Sequence, residues 1–419
     1  MNQTISTARQ SRPHRTNSGP ITARLLITLG LLTGLAAFSI DLYLPAFPSM
    51  TSDLSTSATG VQLSLTAFLV GSGCGQLAFG PWSDRTGRLI PLYAGLVLFV
   101  VGGGIAATAP NVLVLVFARL VQGIGGSAGM VLGRAIILDL ASGVAAARAM
   151  SRLMLISGVA PIIAPIVGGL LTDTIGWRGL LGALAAFGLL TMTLTVLSVR
   201  ESLPPQRRRE LRSSVRPTIA SALLSRRYLG YTVAFSFSMA VMLAYISASP
   251  FVYQNMIGFS TTAYGLAFAV NAAGLMVCTL LAARLVKKVT PQALTCVGLA
   301  LSLIASAVIL ILTLSAQRPE VLIVPMFCAI APLGLVFGNT TTLALSSVPE
   351  SVTGVASAVL GALQFTLAGV VAALVGIAGE DTAIPLALTM LGAGAIALTG
   401  TFLANTCSTS STRNRRHSK

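Results

Sequence analysis

From residue 22 onward the chain is a succession of apolar runs almost free of charge, each about the 20 residues that a helix needs to cross a bilayer. The runs predict about twelve transmembrane helices, over 22–46, 59–81, 89–108, 111–138, 153–172, 179–199, 228–254, 262–283, 289–314, 321–346, 352–378 and 382–404. Only 9% of the 419 residues are charged, where a soluble protein carries roughly 25%. Too few charges remain to cover a water-exposed surface, so a soluble globular fold is excluded.

The 27 Lys and Arg outnumber the 11 Asp and Glu, a basic excess that by itself would suit nucleic-acid binding. Their positions argue otherwise. With the N-terminus cytoplasmic, 23 of the 27 fall on the cytoplasmic side, two (Arg178 and Arg318) on the other, and two (Arg119 and Arg134) inside a span. That bias orients the helices and places both tails in the cytoplasm; no nucleic-acid partner is expected. The polar first 20 residues precede an apolar run too long for a signal-peptide core, which reads as a retained first span. Trp82 and Trp177 fall at span ends, where interfacial anchors belong. The five cysteines read as small buried hydrophobes rather than a disulfide framework, and His14 and His417 lie in polar tails, so no metal site is expected.

A polar segment between Arg200 and Arg227, with Pro204, Pro205 and the run Arg207, Arg208, Arg209, divides the chain. The expected units are a cytoplasmic tail (1–21), an N-terminal six-helix bundle (22–199), a cytoplasmic linker (200–227), a C-terminal six-helix bundle (228–404) and a second cytoplasmic tail (405–419). First spans near 22 and 228 and basic turns near 85 and 287 repeat with an offset of about 200 residues, as in secondary transporters built from internal repeats. No phosphate-cradling Gly-rich Lys-Ser/Thr loop is present, which argues against ATP as the energy source.

Charges inside spans are costly, about 2.5 to 3.5 kcal/mol at a helix centre, and mark function by default. Among the acids only Asp41 has a long apolar span before it. Burial disfavours the charged form of a carboxyl, so Asp41 is either a protonation switch or an outer-end residue bonding backbone near Pro45 and Pro48. Arg119 keeps its proton and must find an acceptor inside the bundle; Gln122 and Gly123 share its helix face. A purely structural arginine bonding carbonyls is the other reading. Arg134 and Asp139, later in that span, are expected in an ion-pair cluster near its cytoplasmic end.

In the turn GPWSDRTGR, Gly80 and Gly87 permit a tight hairpin, Arg85 and Arg88 hold it cytoplasmic, and Asp84 needs a cation or a helix N-terminus. The fifth span carries Gly158, Pro161, Pro165, Gly168 and Gly169, a set that kinks a membrane helix and lets a neighbour approach closely.

These strings carry a resemblance. GPWSDRTGR resembles the loop signature of the major facilitator superfamily, and RLVQGIG its fourth-span signature R-x-x-Q-G-x-G. GVAPIIAPIVGG is similar to the fifth-span signature of drug:proton antiporters, although Ala164 stands where the stricter pattern has Gly. With DLYLPAFP and GRAIILDL, the chain resembles the bicyclomycin and chloramphenicol resistance (Bcr/CflA) branch; the matching motifs lie in the N-terminal half.

The resemblance implies an all-α major facilitator fold of twelve helices in two pseudo-symmetric bundles. It also implies proton-coupled export of small drug-like compounds, such as chloramphenicol or bicyclomycin, across the cytoplasmic membrane by alternating access. Asp41 would bind the proton or a cationic drug group, with Arg119 and Gln122 tuning it. Asp84, Arg85, Arg88 and Asp139, in the loop with Gly80 and Gly87, would form a conformational latch. Asn271, Asn339 and Gln364 are candidate polar contacts of the cavity, with Tyr43, Tyr245 and Phe365 as walls; core packing is the alternative for each. The expected partners are the drug, protons and the lipid bilayer, with the chain acting as a monomer, without cofactor and without enzymatic chemistry. The competing function is proton-coupled transport of an endogenous small metabolite.

Overall fold

The computed structural model describes residues 22–206, 208, 218–315, 317–349, 352–376 and 382–416. The expected N-terminal tail, part of the linker (207 and 209–217) and residues 417–419 lie outside the described residues, as do His14, Glu210, Glu350, Glu380 and Asp381.

Eleven of the described helices are long and apolar enough to cross a membrane. The first span is composite. Helix α1 (Ala23–Asp41) continues through a 3-10 turn (Leu44–Ala46), where Pro45 interrupts the backbone pattern, into α2 (Phe47–Asp53). Asp41 therefore lies within a helical run that extends to Asp53, not at its outer end. Then follow α3 (Ala58–Thr86), α4 (Leu89–Ala107), α5 (Val112–Leu140) and α6 (Gly143–Ser198). At 56 residues α6 would measure about 84 Å if straight, far more than one bilayer. Gly176, at φ 64° and ψ 177°, breaks it into two passes. The expected fifth and sixth spans are thus both present, and the total is twelve.

After a short helix α7 (Thr218–Leu223), the second half runs through α8 (Arg226–Phe251), closed by a π turn (Val252–Met256), α9 (Thr261–Leu285) and α10 (Pro291–Leu314). The next span is broken at Pro332 into α11 (Ile323–Ile330) and α12 (Gly334–Leu345), and α13 (Thr353–Gly376) and α14 (Ile384–Arg416) complete the chain. Ser and Thr cap the polar entries: Ser57, Ser225, Ser260 and Thr290 each accept a backbone N–H of the first turn.

Helices α1 to α6 pack mainly on one another, as do α8 to α14, and the halves meet along α3 with α13 and α6 with α9. This is the two-bundle, all-helical architecture, with no strand among the described residues. Large apolar side chains face outward, Leu113 at 77% and Val277 at 62% exposed. For a surface solvated by lipid that is the stable arrangement. The same logic corrects the cysteines. Cys74 and Cys328 are exposed, Cys278 and Cys296 half-buried, because a small apolar side chain loses nothing by facing an apolar solvent. Trp177 is corrected as well: it is 4% exposed and donates from Nε1 to Asp53 Oδ2 at 2.8 Å, with Arg178 pairing the same carboxylate. It ties the α6 break to the end of α2 instead of anchoring in the interface.

The two ends of the bundle differ. At the end opposite the basic loops the halves are bonded together: Gln62 Nε2 donates to the Ser247 carbonyl at 3.1 Å and Thr66 Oγ1 to that of Gly369 at 3.2 Å. Gln254 Nε2 donates to the Pro45 carbonyl at 3.0 Å, and Thr262 Oγ1 to that of Gly169 at 3.3 Å. That end is shut.

Candidate functional site

Two regions hold the residues singled out by the sequence. The first is a buried charge centre under the shut end. Arg119 is fully buried on α5. Its Nη1 donates to Gln122 Oε1 at 2.6 Å and its Nη2 to the Ser39 carbonyl on α1 at 2.5 Å. The guanidinium is sandwiched between the rings of Tyr43 and Phe68, each 4.4 Å from its central carbon. Neutral acceptors and π faces therefore solvate this cation in place of a carboxylate.

The motif glycine beside it explains how α5 comes so near. A Cβ on Gly123 would strike the Phe68 carbonyl of α3, so only glycine allows the contact.

Asp41 is 3% exposed, and its Oδ1 has no hydrogen-bond partner. Among the described residues no ion pair joins Asp41 to Arg119; the link between them is the α1 backbone at Ser39, two residues away. Tyr43 Oη pairs with Ser64 Oγ at 3.1 Å. The fifth-span motif reaches the same place: a Cβ on Gly168 would strike the Leu42 carbonyl, and one on Gly169 would meet the Thr261 carbonyl of the other half at 2.6 Å. Gly158 faces Met276, and Pro161 and Pro165 lie inside α6. The motif thus wedges α6 between the Asp41 segment and α9.

The second half contributes residues that sequence reasoning missed. Tyr264 is fully buried, shares a 3.1 Å hydroxyl contact with Ser249, and lies near enough to Asp41 for a charge there to act on it. Nothing separates Tyr264 from any other apolar-span tyrosine in the sequence, because its significance comes from a helix of the opposite bundle. The predicted wall Tyr245 stacks near Phe268 with ring centroids 5.6 Å apart, its hydroxyl unpartnered. Asn271 and Asn339 donate back to their own helices, to Ala267 at 2.9 Å and Leu335 at 2.8 Å. Asn271 Oδ1 remains buried and free. Gln364 and Phe365 are half-buried on α13, away from Asp41 in the chain and without a bond that links them to it.

The second region is the ion cluster at the basic end. Arg88, 7% exposed, donates to Asp84 Oδ1 at 2.7 Å, to Asp139 Oδ2 at 2.8 Å and to Ser83 Oγ at 2.7 Å. Burial works against its charge, but the hydrogen bonds and Coulombic pull of Asp139 and then Asp84 outweigh it, so its pKa lies above the ordinary arginine value. Arg85 points into solvent.

Glu201, which no motif flagged, closes the cluster. Its carboxylate accepts the backbone N–H groups of Arg88 at 3.0 Å, Leu89 at 3.3 Å and Leu203 at 3.0 Å, placing negative charge at the start of α4. Gly87 adopts φ +100°, and a Cβ there would meet Glu201 and Arg208 at 2.5 Å. Gly80, by contrast, has open space around it. Every member belongs to the first half or the linker. Arg134 is not part of this cluster, contrary to expectation: it is exposed, five residues before Asp139 on α5, and Ser202 Oγ shares Asp139 Oδ2 with Arg88 at 2.9 Å.

A family model described as Major Facilitator Superfamily matches residues 29–373. The uncharacterized MFS-type transporter YdgK of Bacillus subtilis is 37% identical over 370 residues, covering 87% of this chain and 91% of that protein. The bicyclomycin resistance protein homolog of Haemophilus influenzae is 30% identical over 372 residues, covering 87% and 92%. Among solved structures, an inward-facing, unoccupied bacterial homolog of the human lysosomal transporter Spinster superposes with a TM-score of 0.73 at 16% identity, covering 92% of this chain and 97% of that one.

Proposed function

Because the chain belongs to the Major Facilitator Superfamily and is a multi-pass membrane transporter rather than an enzyme, we propose that it exports small drug-like compounds across the cytoplasmic membrane in exchange for protons. The observation that carries this reading is Asp41: a carboxyl buried among spans, with no cation paired to it among the described residues, whereas the acids Asp53, Asp84, Asp139 and Asp173 lie at helix ends or breaks. A buried carboxyl without a partner is least costly as the neutral acid. For exchange it takes up a proton when the shut end opens outward and releases it when water reaches it from the basic end. The relative named for bicyclomycin resistance supports compounds of the bicyclomycin kind as cargo.

In this mechanism the two halves, 22–199 and 228–404, rock about the site. The α3–α13 and α6–α9 seams separate and close at alternate ends, and both termini lie in the cytoplasm, as the basic loops require. Opening the shut end breaks the bonds of Gln62, Thr66, Gln254 and Thr262 and withdraws Tyr264 from Asp41. The proton site therefore changes environment with each half-cycle. Arg119 holds α1 to α5 through Ser39 and keeps a fixed positive charge nearby, which favours proton release once Asp41 is hydrated. The chain works as a monomer, since each half supplies part of the site.

The test compares drug susceptibility of cells expressing wild type and Asp41→Asn across a compound panel. Resistance lost in the variant, with equal membrane expression, is the expected result. Equal susceptibility for every compound would refute proton-coupled drug export and favour an endogenous metabolite as cargo.

A further inference from the structure

Arg134 is a charge inside a span that neither the proton site nor the ion cluster uses. Its helix α5 turns Gly125 and Ala128 onto α4, Gly129 and Gly133 onto α1, and Ser127 onto α3. At 100° per residue, Arg134 lies between the α1 and α3 faces and opposite α4, toward the middle of the molecule. The broad packing partners of α5 are α1, α3, α4 and α6, all of the first half. Its inward face is left open toward the basic end. The guanidinium is exposed and takes part in no hydrogen bond or ion pair among the described residues.

Among the described residues no carboxylate is bonded to it. Asp139 is engaged by Arg88 and Ser202, and Asp41 is sealed at the far end. In the second half the sequence between Glu210 and Glu320 is free of acids, and Glu350 lies outside the described residues. A cation in such a place is strongly favoured to meet an anion, and arginine presents a planar fork that matches carboxylate and sulfonate oxygens. Arg148, Arg152, Arg284, Lys287 and Lys288 surround the same end and raise the local concentration of anions.

We propose that Arg134 is an anion-binding position of the transport cavity, and that the cargo includes amphiphilic organic anions whose carboxylate or sulfonate rests on Arg134 while an apolar body lies along neutral walls. This rests on the transporter reading above and narrows its substrate class.

The experiment measures binding of naphthalene-2-sulfonate and of its neutral isostere naphthalene-2-sulfonamide to the full chain in a neutral detergent, by equilibrium dialysis. Wild type is expected to bind the sulfonate at least tenfold more tightly. Arg134→Gln should lose that tenfold while holding the sulfonamide within twofold, and Arg134→Lys should fall between. Thermal melting of each variant without ligand checks folding. No change in sulfonate affinity on Arg134→Gln, or an equal loss for both probes, overturns the assignment. Wild type that binds both equally also overturns it, but leaves the drug-export reading intact, which the Asp41→Asn assay judges separately. If added phosphatidylglycerol competes away the sulfonate, the position belongs to a lipid headgroup and the cargo assignment fails.

Discussion

Arg119 is held by the carbonyl of Ser39, at 2.5 Å, and not by a carboxylate. The buried cation and the buried acid of this bundle are therefore separate: each is solvated on its own, and their coupling runs through two residues of α1 backbone. Such an arrangement leaves Asp41 free to change protonation without breaking a salt bridge, and it leaves Arg119 charged throughout.

Arg119→Met follows from that separation. Removing a buried charge that no anion neutralises costs little, because the lost hydrogen bonds and the relieved desolvation oppose each other. The variant is expected to fold within about 2 kcal/mol of wild type while losing transport, as checked by thermal melting and by drug uptake into everted vesicles. Collapse of the fold would show that Arg119 is chiefly structural.

Export of a neutral drug should respond to membrane potential. With Asp41 as sole carrier, one net charge crosses per cycle, about 2.3 kcal/mol per 100 mV, or roughly 50-fold in the attainable concentration ratio. Proteoliposomes with an imposed potassium diffusion potential and no pH gradient measure this; flux indifferent to potential would refute Asp41 as the carrier of one net charge per cycle.

The two loop glycines should behave oppositely. Gly80 lies inside α3 with nothing near its missing Cβ, so Gly80→Ala should hold or raise stability by up to about 1 kcal/mol. Gly87→Ala should destabilise by about 1 to 2 kcal/mol, since φ +100° disfavours a side chain and Arg208 and Glu201 occupy its space. Melting temperatures of the two variants in one detergent decide it.

Asp139→Asn leaves Arg88 with half of its ionic partners in a buried position, and is expected to cost roughly 3 kcal/mol. Glu201→Ala should cost about 1 kcal/mol, as the loss of a helix cap. Both should loosen the start of the linker, so limited proteolysis near Ser202 should accelerate in step with the fall in melting temperature.

Much of this was legible residue by residue. The apolar runs and their charged punctuation marked the helices, the two halves and Asp84–Arg88, because hydropathy and an i, i+4 pair are local properties of the chain. Asp41 and Arg119 stood out because a charge in an apolar run is costly wherever the run packs. The run 153–199 was expected as two spans and is one helix by hydrogen bonding, broken at Gly176 by a single left-handed residue. Trp177, the cysteines and Arg134 were misplaced for one shared reason: distance from a span end does not tell which face of the helix meets protein, lipid or cavity.

Local physics thus accounts for the number of spans, for which loops carry the basic charge, and for the scarcity of intramembrane charge. Which partners those few charges find is a different question. Ser39 meets Arg119, Gln62 meets the Ser247 carbonyl of the opposite bundle, Glu201 closes the Arg88 cluster, and Arg134 is left alone. Each depends on helices far apart in the chain being brought within a few ångströms, a packing that close glycine contacts such as Gly123 and Gly168 allow and that no run of neighbouring residues encodes.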